Sequence, residues 1–376
     1  CSPLRKEFKQ SDVINDHFVG FALYDPAAKT FLYESSADKY FTPASNTKIL
    51  TMYSSLKYIG DSIPGLYYYE TPDTLYFWGS GDPSFLNPDV FQSGKVYEFL
   101  LHTNKTLAFS DKNFYDTYFG AGWGWDDYND YYSVEKSPLP LYGNYSVVTK
   151  DSTTSAAIAR PTYFSKFLFQ EDPDTLKAPV IRDVASNIIR LYRSDTTYFN
   201  KILPQKTSVD LTIKLLSDTL KKTVVRSDLQ LPESHTTIYS TPLDSLIAPM
   251  MIHSDNFIAE QLVLVASGIL TDSLLTENLI RQVQENDFSD LPDPLNWVDG
   301  SGLSRYNLFT PRSVIKIWEK IYESVGQSRL KSLIANGGIN GTIRNLYADE
   351  KPFVFAKTGS LRNNHSLSGL IETDKG

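Results

Sequence analysis

Residues 41–60 read FTPASNTKILTMYSSLKYIG. Pro43 is typical of an entry turn, and Gly60 is typical of the residue that follows a helix. Between them, apolar residues recur at helical spacing, at Leu50, Tyr53, Leu56 and Ile59. The pattern predicts a helix with Ser45 at or just before its first turn and Lys48 three residues further on, over the same face.

The segments on either side of this helix predict a mixed chain. Residues 19–33 alternate around a central turn and predict a β-hairpin. Residues 63–204 contain short strand-like pieces and aromatic, turn-rich loops without long helical periodicity, which indicates a mainly β region. Helical patterns return at 207–222 and 242–267, and a final strand pair is predicted near 354–361.

This order of elements predicts an α/β (α+β) protein with two domains, or three if the insertion is itself divided, and 376 residues are sufficient for either. The first domain is discontinuous, combines residues 1–62 with 205–376, and holds an antiparallel sheet flanked by helices. The second is a mainly β insertion formed by residues 63–204.

Composition excludes several classes of function. The chain has 36 Lys and Arg against 44 Asp and Glu, a net charge of −8, which argues against a nucleic-acid partner. No apolar run approaches the ~18 residues of a membrane-spanning helix. The HExxH and GxSxG motifs are absent, so we expect neither a metal site nor a cofactor.

The only cysteine is Cys1. Mature bacterial lipoproteins begin with a cysteine that carries acyl chains, and the polar residues after Cys1 would suit a tether. We therefore predict that Cys1 is lipidated and that this anchor is the protein's only contact with a membrane. The alternative is that the sequence begins at this residue by coincidence.

A Ser-x-x-Lys motif can place a nucleophile and its base on one helical turn, but the Ser45–Lys48 pair is weak evidence alone. The same spacing also occurs at Ser36/Lys39, Ser54/Lys57, Ser133/Lys136, Ser313/Lys316 and Ser328/Lys331. Two later motifs single out Ser45: SDN at 254–256, between two apolar helical runs, and KTG at 357–359, after a short strand at 353–355. The order S-x-x-K, S-x-N, K-T-G is the signature of penicillin-binding proteins and serine β-lactamases.

The chemistry of acyl transfer explains these residue types. The Ser45 hydroxyl needs a base, and Lys48 can act as one only when it is neutral, a state that burial and a second cation, Lys357, would favour. Ser254 can pass the proton to the leaving amine. The backbone N–H groups of Ser45 and Ser360 would form the oxyanion hole.

The remaining motif residues suit substrate binding. Asn256 can hold the substrate amide and Lys48 in position. Lys357, with Thr358, can bind a terminal carboxylate. Gly359 would let the strand backbone come close to the substrate.

Several segments resemble the carboxypeptidase and endopeptidase group of low-molecular-mass penicillin-binding proteins that carry a large insertion between the first two motifs. The similar segments are FTPASNTK (41–48), LYFWGSGDPSF (75–85), GWGWDDY (122–128), SDNFIAEQL (254–262), VDGSGLSRYN (298–307), GGINGTIRN (337–345) and AKTGSL (356–361). The resemblance implies a β-lactamase/transpeptidase-like fold with a β-rich inserted domain. It implies carboxypeptidase activity, with endopeptidase activity as an open alternative, on peptidoglycan peptides in the periplasm.

Carried onto matching positions, the resemblance implies Ser45 as the acyl-ester nucleophile and Lys48 as the proton acceptor. It implies Ser254 as the second catalytic serine and Lys357 as a substrate binder, with β-lactam antibiotics as covalent inhibitors. Two departures from the group stand out. Residues 362–365 read RNNH where the group has small residues, which leaves substrate preference open. The chain also stops at Gly376 where the group's fold continues, so we expect a longer protein.

Two rival functions use the same motifs. A β-lactamase would need a dedicated deacylating base, and none is identified in the sequence. A catalytically silent binding module on the cell surface is disfavoured because the motif residues are intact.

Other polar and aromatic residues receive structural interpretations. Asp82 and Asp299 are interpreted as turn-forming carboxylates that bind backbone N–H groups. The carboxylates at 126–127 are interpreted as a solvated loop rather than as metal ligands. Trp123 and Trp125 would either stack on a sugar or anchor the insertion.

Overall fold

A computed structural model describes residues 2–150, 157–171, 180–192, 199–349 and 351–374. Within these ranges the α-helices are, in chain order, α1 (Ser2–Gln10), α2 (Asp12–Asn15), α3 (Lys48–Tyr58), α4 (Lys95–His102), α5 (Val209–Leu220), α6 (Asp244–Ile252), α7 (Asn256–Thr271), α8 (Thr276–Asn286) and α9 (Pro311–Leu333). The strands are β1 (Phe21–Asp25), β2 (Thr30–Ser35), β3 (Ser62–Glu70), β4 (Thr74–Gly79), β5 (Thr106–Ser110), β6 (Tyr145–Lys150), β7 (Ala157–Arg160), β8 (Leu168–Gln170), β9 (Val180–Arg182), β10 (Ile189–Leu191), β11 (Phe199–Pro204), β12 (Val224–Arg226), β13 (Thr236–Pro242), β14 (Ala335–Asn336), β15 (Val354–Leu361) and β16 (Asn364–Ile371).

The chain divides into two compact units. Unit 1 comprises residues 1–54, 247–254 and 280–376, and unit 2 comprises residues 55–246 and 255–279. The boundaries of these units differ from the domain boundaries predicted at 62/63 and 204/205, which stay a prediction. One contribution to the difference is that helix α5 packs against β12 and α4, which places it with the β-rich part of the chain.

Unit 1 contains two antiparallel sheets. Strands β1 and β2 form the predicted hairpin, and β14, β15 and β16 form a three-stranded sheet in that order. The long helix α9 contacts both β1 and β16. Helix α9 begins at a well-formed cap, because Thr310 accepts a hydrogen bond from the Ser313 N–H and Pro311 occupies the first turn.

Unit 2 is rich in β-structure, and most of its residues lie in the region 63–204, for which the sequence predicted a mainly β fold. Its largest sheet has the strand order β12-β5-β4-β3-β13, with parallel pairs on the β12 side and antiparallel pairs on the β13 side. Two three-stranded sheets, β8-β10-β9 and β11-β6-β7, also belong to unit 2. The eight-residue helix α4, which the sequence patterns did not predict, buries Val96 and Leu100 in the same hydrophobic core.

The N-terminal segment is more ordered than a tether. Residues 2–15 form α1 and α2, and the ring of Phe8 lies 4.7 Å from that of Phe21 and 5.0 Å from that of Tyr33. These aromatic contacts with the β1–β2 hairpin favour a folded segment over a solvated one. Cys1 itself lies outside the described residues.

Candidate active site

The first motif forms a tight turn that continues into a helix. Residues Ala44–Thr47 form a single 3-10 turn, and α3 continues from Lys48, as predicted. The Nζ atom of Lys48 lies 3.0 Å from the Oγ atom of Ser45 and donates a second hydrogen bond, of 2.7 Å, to the carbonyl oxygen of Ser301. The side chain of Lys48 is fully buried, with an exposed fraction of 0%. The candidate nucleophile and its candidate base are therefore already in hydrogen-bond contact.

A loop from Asp299 to Ser304, which we call the DGSGLS loop, packs against this turn. The carboxylate of Asp299 accepts hydrogen bonds from the backbone N–H groups of Gly302, at 2.9 Å, and Ser304, at 2.7 Å. This confirms the interpretation of Asp299 as a turn-forming carboxylate. Gly302 has a φ of +88°, and a Cβ atom there would lie 1.9 Å from the carbonyl oxygen of Ala44. Only glycine allows the loop to approach the turn so closely.

The sequence suggested a short strand that ends before the third motif. In the structure the motif instead lies inside strand β15, which runs from Val354 to Leu361. The strand continues through the motif because Gly359 lets it pass the first motif closely: a Cβ atom at Gly359 would lie 2.4 Å from the carbonyl oxygen of Pro43. The close approach that Gly359 provides in this structure is thus to the chain's own turn. The expected approach of a substrate to Gly359 stays a prediction.

Strand β16 holds the same turn through a side-chain network. The amide of Asn46 donates to Ser366 Oγ at 2.6 Å and accepts from Ser368 Oγ at 2.6 Å. Ser366 also donates to the carbonyl oxygen of Pro43, and the indole N–H of Trp318 donates to Ser368. The position of Ser45 is therefore fixed from two sides, by the DGSGLS loop and by this network.

Lys357 and Ser254 form the second lysine–serine pair. The Nζ atom of Lys357 donates to Ser254 Oγ at 2.8 Å and to the carbonyl oxygen of Thr358 at 2.7 Å. Lys357 is fully buried, and this burial, reinforced by the positive charge of Lys48, holds the pKa of the Lys357 ammonium well below its usual value. Ser254 adopts a φ of +64°, a conformation that L-residues rarely take, in the turn after α6.

The hydroxyl groups of Thr358 and Ser360 lie two residues apart on β15, and each contacts a side chain of another segment. The Thr358 hydroxyl donates to Thr342 Oγ1 at 2.7 Å. Ser360 Oγ lies 2.9 Å from Nδ1 of His365, its antiparallel partner on β16. Both hydroxyls belong to residues that the sequence assigned to substrate binding.

Asn256, the last residue of the SDN motif, belongs to unit 2. It is the first residue of α7, and Asp255 caps this helix by accepting a hydrogen bond from the N–H of Ile258. The Asn256 amide donates to the carbonyl oxygen of Tyr132 at 2.9 Å. The motif thus lies in a turn between two helices, as the sequence predicted.

Three of the alternative Ser-x-x-Lys pairs have a residue in a structural role. Ser54 is buried and donates to the carbonyl oxygen of Leu50 within α3, and Ser313 donates to the carbonyl oxygen of Asp293. Lys136 forms a buried ion pair with Asp116 at 2.9 Å. In these three pairs, one residue is therefore engaged in a structural contact.

Sequence reasoning missed several residues that shape the site. Ser301 supplies an acceptor to Lys48 through its carbonyl oxygen, while Asn46, Ser366 and Ser368 orient the turn. The alternation of Ser366 and Ser368 on one face of β16 was the only available signal.

The two tryptophans and Asp82, which the sequence singled out, differ in their surroundings. Trp123 is 8% exposed and packs edge-on against Phe119, so it anchors its loop, whereas Trp125 is 69% exposed. Asp82 accepts a hydrogen bond from the Ser84 N–H, as expected for a turn-forming carboxylate. Among the described residues no cluster of metal-ligating side chains occurs, and no described helix is long and apolar enough to cross a membrane.

Comparison with known proteins gives consistent matches. The D-Ala-D-Ala carboxypeptidase 3 (S13) family matches residues 3–178 and 210–376. Penicillin-sensitive carboxypeptidase A from Dictyostelium discoideum is 25% identical over 416 residues, which cover 93% of this chain and 78% of that protein. The D-alanyl-D-alanine carboxypeptidase DacB from Haemophilus influenzae is 30% identical over 148 residues, which cover 36% of this chain and 30% of that protein.

Comparison with solved structures shows that the similarity includes the fold. The crystal structure of penicillin-binding protein 4 (dacB) from Haemophilus influenzae superposes with a TM-score of 0.75 at 19% identity and covers 95% of this chain and 87% of that one. The fold class predicted from the sequence is confirmed by this match.

Proposed function

Since the chain belongs to the D-Ala-D-Ala carboxypeptidase 3 (S13) family and is a serine-type carboxypeptidase, we propose that Ser45 is its nucleophile and Lys48 its general base. The observation that carries this proposal is the 3.0 Å contact between Lys48 Nζ and Ser45 Oγ, in a turn whose other residues are buried. Neutral Lys48 takes the hydroxyl proton as Ser45 Oγ bonds to the carbonyl carbon of the penultimate D-Ala. The backbone N–H groups of Ser45 and Ser360 are the proposed oxyanion donors, each worth about 3–4 kcal/mol.

Collapse of the tetrahedral intermediate breaks the peptide C–N bond. The departing amine of the terminal D-Ala takes the proton of Ser254, and Ser254 receives in exchange the proton that Lys48 took from Ser45, so Lys48 is neutral again. The Ser254 hydroxyl is in contact with Lys357 at 2.8 Å. Water then attacks the Ser45 ester and releases the shortened stem peptide. Neutral Lys48 takes a proton from this water and gives it to the leaving Ser45 oxygen, which completes the cycle.

Lys357, Thr358, Gly359 and Ser360 form the proposed binding strand for the substrate's C-terminus. A carboxylate near Lys357 would favour its protonated form, which burial disfavours in the free enzyme. The Ser360 hydroxyl would donate to the same carboxylate, and so would the Thr358 hydroxyl once it turns away from Thr342. Asn256 is proposed to hold the substrate's amide, as the family resemblance implies.

We propose that β-lactams acylate Ser45, in line with the name of the Dictyostelium relative, a penicillin-sensitive carboxypeptidase. A β-lactam presents a strained amide and a carboxylate that resemble the scissile bond and C-terminus of the peptide. After ring opening, the leaving nitrogen stays tethered to the acyl group and obstructs water. The adduct should therefore be long-lived.

The protein is proposed to act in the periplasm, where peptidoglycan lies. Lipidation of Cys1 is proposed on the sequence alone, since Cys1 lies outside the described residues. The domain boundaries at 62/63 and 204/205 are retained as a proposal about how the chain is organised.

Labelling with a fluorescent penicillin tests this function. Wild-type protein should take up one label on the peptide that contains Ser45 and should release D-Ala from a D-Ala-D-Ala peptide. Ser45→Ala should lose both activities by at least ~10³-fold, as for other nucleophile deletions, while its thermal unfolding is preserved.

Ser54→Ala is the matched control, because Ser54 belongs to a Ser-x-x-Lys pair on the same helix. It should keep nearly full activity. Equal losses in the two variants would refute Ser45 as the nucleophile, and repeated turnover of penicillin without accumulated label would favour the β-lactamase alternative.

A further inference from the structure

We propose that a cavity in unit 2, lined by Asp82 and by the first turn of α4, is a binding site for a small zwitterionic amino acid. D-Alanine, which a D-Ala-D-Ala carboxypeptidase releases, is the ligand of this class that the protein's own reaction supplies. The inference does not depend on the roles proposed for Ser45 and Lys48, because every residue that lines the cavity belongs to unit 2.

The cavity has a volume of about 100 Å³, which is room for several waters or for one molecule with few non-hydrogen atoms. Asp82, Ser84 and Ser240 contribute polar side chains to its wall, and all three residues are buried. Gln92 and Gly94 also line the cavity and are exposed, so a ligand can enter from the surface. A concave site with a few convergent polar groups is the usual form of a small-molecule site.

Asp82 offers this cavity a carboxylate oxygen that has no partner. Its Oδ1 atom accepts a hydrogen bond from the Ser84 N–H at 2.8 Å, whereas its buried Oδ2 atom has no hydrogen-bond partner among the described residues. Burial raises the pKa of Asp82 to about 6, and the hydroxyls of Ser84 and Ser240 oppose this shift without cancelling it. At neutral pH the carboxylate is therefore ionised, and its buried charge is only partly compensated. An ammonium group of a ligand would pair with it.

The first turn of α4 offers the opposite polarity. This eight-residue helix begins after Gly94, which has no side-chain oxygen, and no side chain caps the helix. The Lys95 N–H reaches the Oγ atom of Ser93 only at 3.4 Å. Ser93, Gly94, Val96 and Tyr97 all line the cavity. Backbone N–H groups without partners and the positive end of the helix dipole favour a bound carboxylate.

The composition of the wall narrows the ligand class. Phe85 and Val96 are buried and give the cavity an apolar part, which suits a methyl group and leaves little room for a larger side chain. A simple anion would be repelled by Asp82. A metal ion would find only this one carboxylate, because Asp82 is the only acidic residue in the wall. The ammonium, carboxylate and methyl groups of alanine match the three parts of the wall.

Isothermal titration calorimetry at about pH 8, where Asp82 is ionised, tests the site. The probes are D-alanine, propionate, ethylamine and D-phenylalanine. The proteins are the full-length wild type, Asp82→Asn and Asp73→Asn. Asparagine at position 82 keeps the acceptor for the Ser84 N–H and removes the charge. Asp73 is exposed in the turn between β3 and β4, so its variant controls for net charge. Circular dichroism melting establishes that each variant folds.

D-Alanine should bind the wild type and Asp73→Asn at a single site with equal affinity. It should bind Asp82→Asn at least about tenfold more weakly, as expected for the loss of a hydrogen bond to a charged group. Propionate lacks the ammonium group and ethylamine lacks the carboxylate, so each should bind the wild type at least about tenfold more weakly than D-alanine. D-Phenylalanine should not displace D-alanine, because its side chain is too large for the cavity.

Equal affinities of D-alanine for the wild type and Asp82→Asn would overturn the proposal, because binding would then take place elsewhere on the protein. So would ethylamine that binds as tightly as D-alanine, which would indicate a site for cations only, and so would the absence of saturable D-alanine binding. Failure of the proposed function is a separate result, because it would appear as a wild type that releases no D-Ala from a D-Ala-D-Ala peptide, whatever the calorimetry shows.

Discussion

At the scale of single residues, the site is built on two buried lysines, each in contact with a serine. Lys48 contacts Ser45 at 3.0 Å, and Lys357 contacts Ser254 at 2.8 Å. Burying a cation costs free energy unless compensating contacts are present, and a second cation nearby adds to the cost. The arrangement therefore lowers stability and provides an amine that gives up its proton readily.

Lys357→Met tests this cost. The pKa of Lys357 is lowered in the folded state, so the unfolded state binds more protons from that lowered pKa up to about 10.4, the usual lysine value. The free energy of unfolding of the wild type should consequently rise with pH across this window, relative to that of Lys357→Met. At neutral pH the variant should be more stable by on the order of 1–4 kcal/mol and inactive on carboxylate-bearing peptides.

Urea unfolding of both proteins at several pH values measures the difference. A difference that is constant from neutral to strongly alkaline pH would contradict the lowered pKa. A variant that is both less stable and inactive would show that the contacts of Lys357 stabilise the fold by more than its burial costs.

At the scale of elements, three segments fix the turn that carries Ser45: the DGSGLS loop, β15 and β16. Gly302 lies so close to the turn that a Cβ atom there would be 1.9 Å from the carbonyl oxygen of Ala44. The turn cannot easily move away from an added Cβ atom, since Lys48 and Thr51 also donate hydrogen bonds to carbonyl oxygens of the DGSGLS loop.

Gly302→Ala should therefore reduce penicillin acylation by at least ~10-fold and destabilise the protein by about 2–4 kcal/mol, through the positive φ and the collision together. Gly326→Ala is the matched control. It also has a positive φ, +73°, but no atom lies within 4 Å of the added Cβ. It should cost only the ~1–3 kcal/mol of its backbone conformation and leave acylation intact. Equal acylation rates in the two variants would show that the loop does not position Ser45.

Unit 2 contains a buried carboxylate with a predictable effect on stability. Burial raises the pKa of Asp82 from 3.8 to about 6, although nearby hydroxyls and the Ser84 N–H partly oppose the shift. The folded state thus binds more protons than the unfolded state between these values, and stability falls as pH rises from about 4 to about 6. Above that window the cost stays constant at roughly 3 kcal/mol.

Asp82→Asn keeps the acceptor for Ser84 and removes the charge. Its free energy of unfolding, relative to the wild type, should therefore increase between about pH 4 and 6 and then level off, as measured by urea unfolding. The same difference at pH 4 and at neutral pH would show that Asp82 does not titrate in this range.

At the scale of the whole molecule, the net charge is −8 and the chain forms two compact units. Residues 2–15 are helical and contact the β1–β2 hairpin. The residues that follow Cys1 are therefore folded rather than a long flexible tether.

Cys1→Ser tests the anchor in a bacterial host that processes lipoproteins. The native protein should fractionate with membranes, because two or three acyl chains give stable anchoring, whereas the variant should be soluble in the periplasm. Detergent-phase partitioning and the mass of the N-terminal peptide measure this. Equal distribution of the two proteins would remove the lipoprotein proposal without affecting the catalytic one.

The sequence by itself determined the features that depend on neighbouring residues. These are the turn and helix around Ser45, the hairpin at β1–β2, the SDN turn between two helices, and the order of three motifs that pointed to acyl transfer. Local patterns suffice there, because a helix face, a strand pair and a cap are each specified within a few residues. The carboxylates of Asp82 and Asp299 were likewise interpreted correctly as turn-forming groups.

Only the tertiary structure decided what holds the site together. Ser301 contacts Lys48 across 253 positions of sequence, and Asn46 contacts Ser366 across 320. No local pattern encodes such pairs, since each depends on how separate elements pack. The same holds for Lys357, whose pKa is lowered because folding buries it near Lys48: the sequence supplies the two lysines, and packing removes the water that would otherwise stabilise their charges.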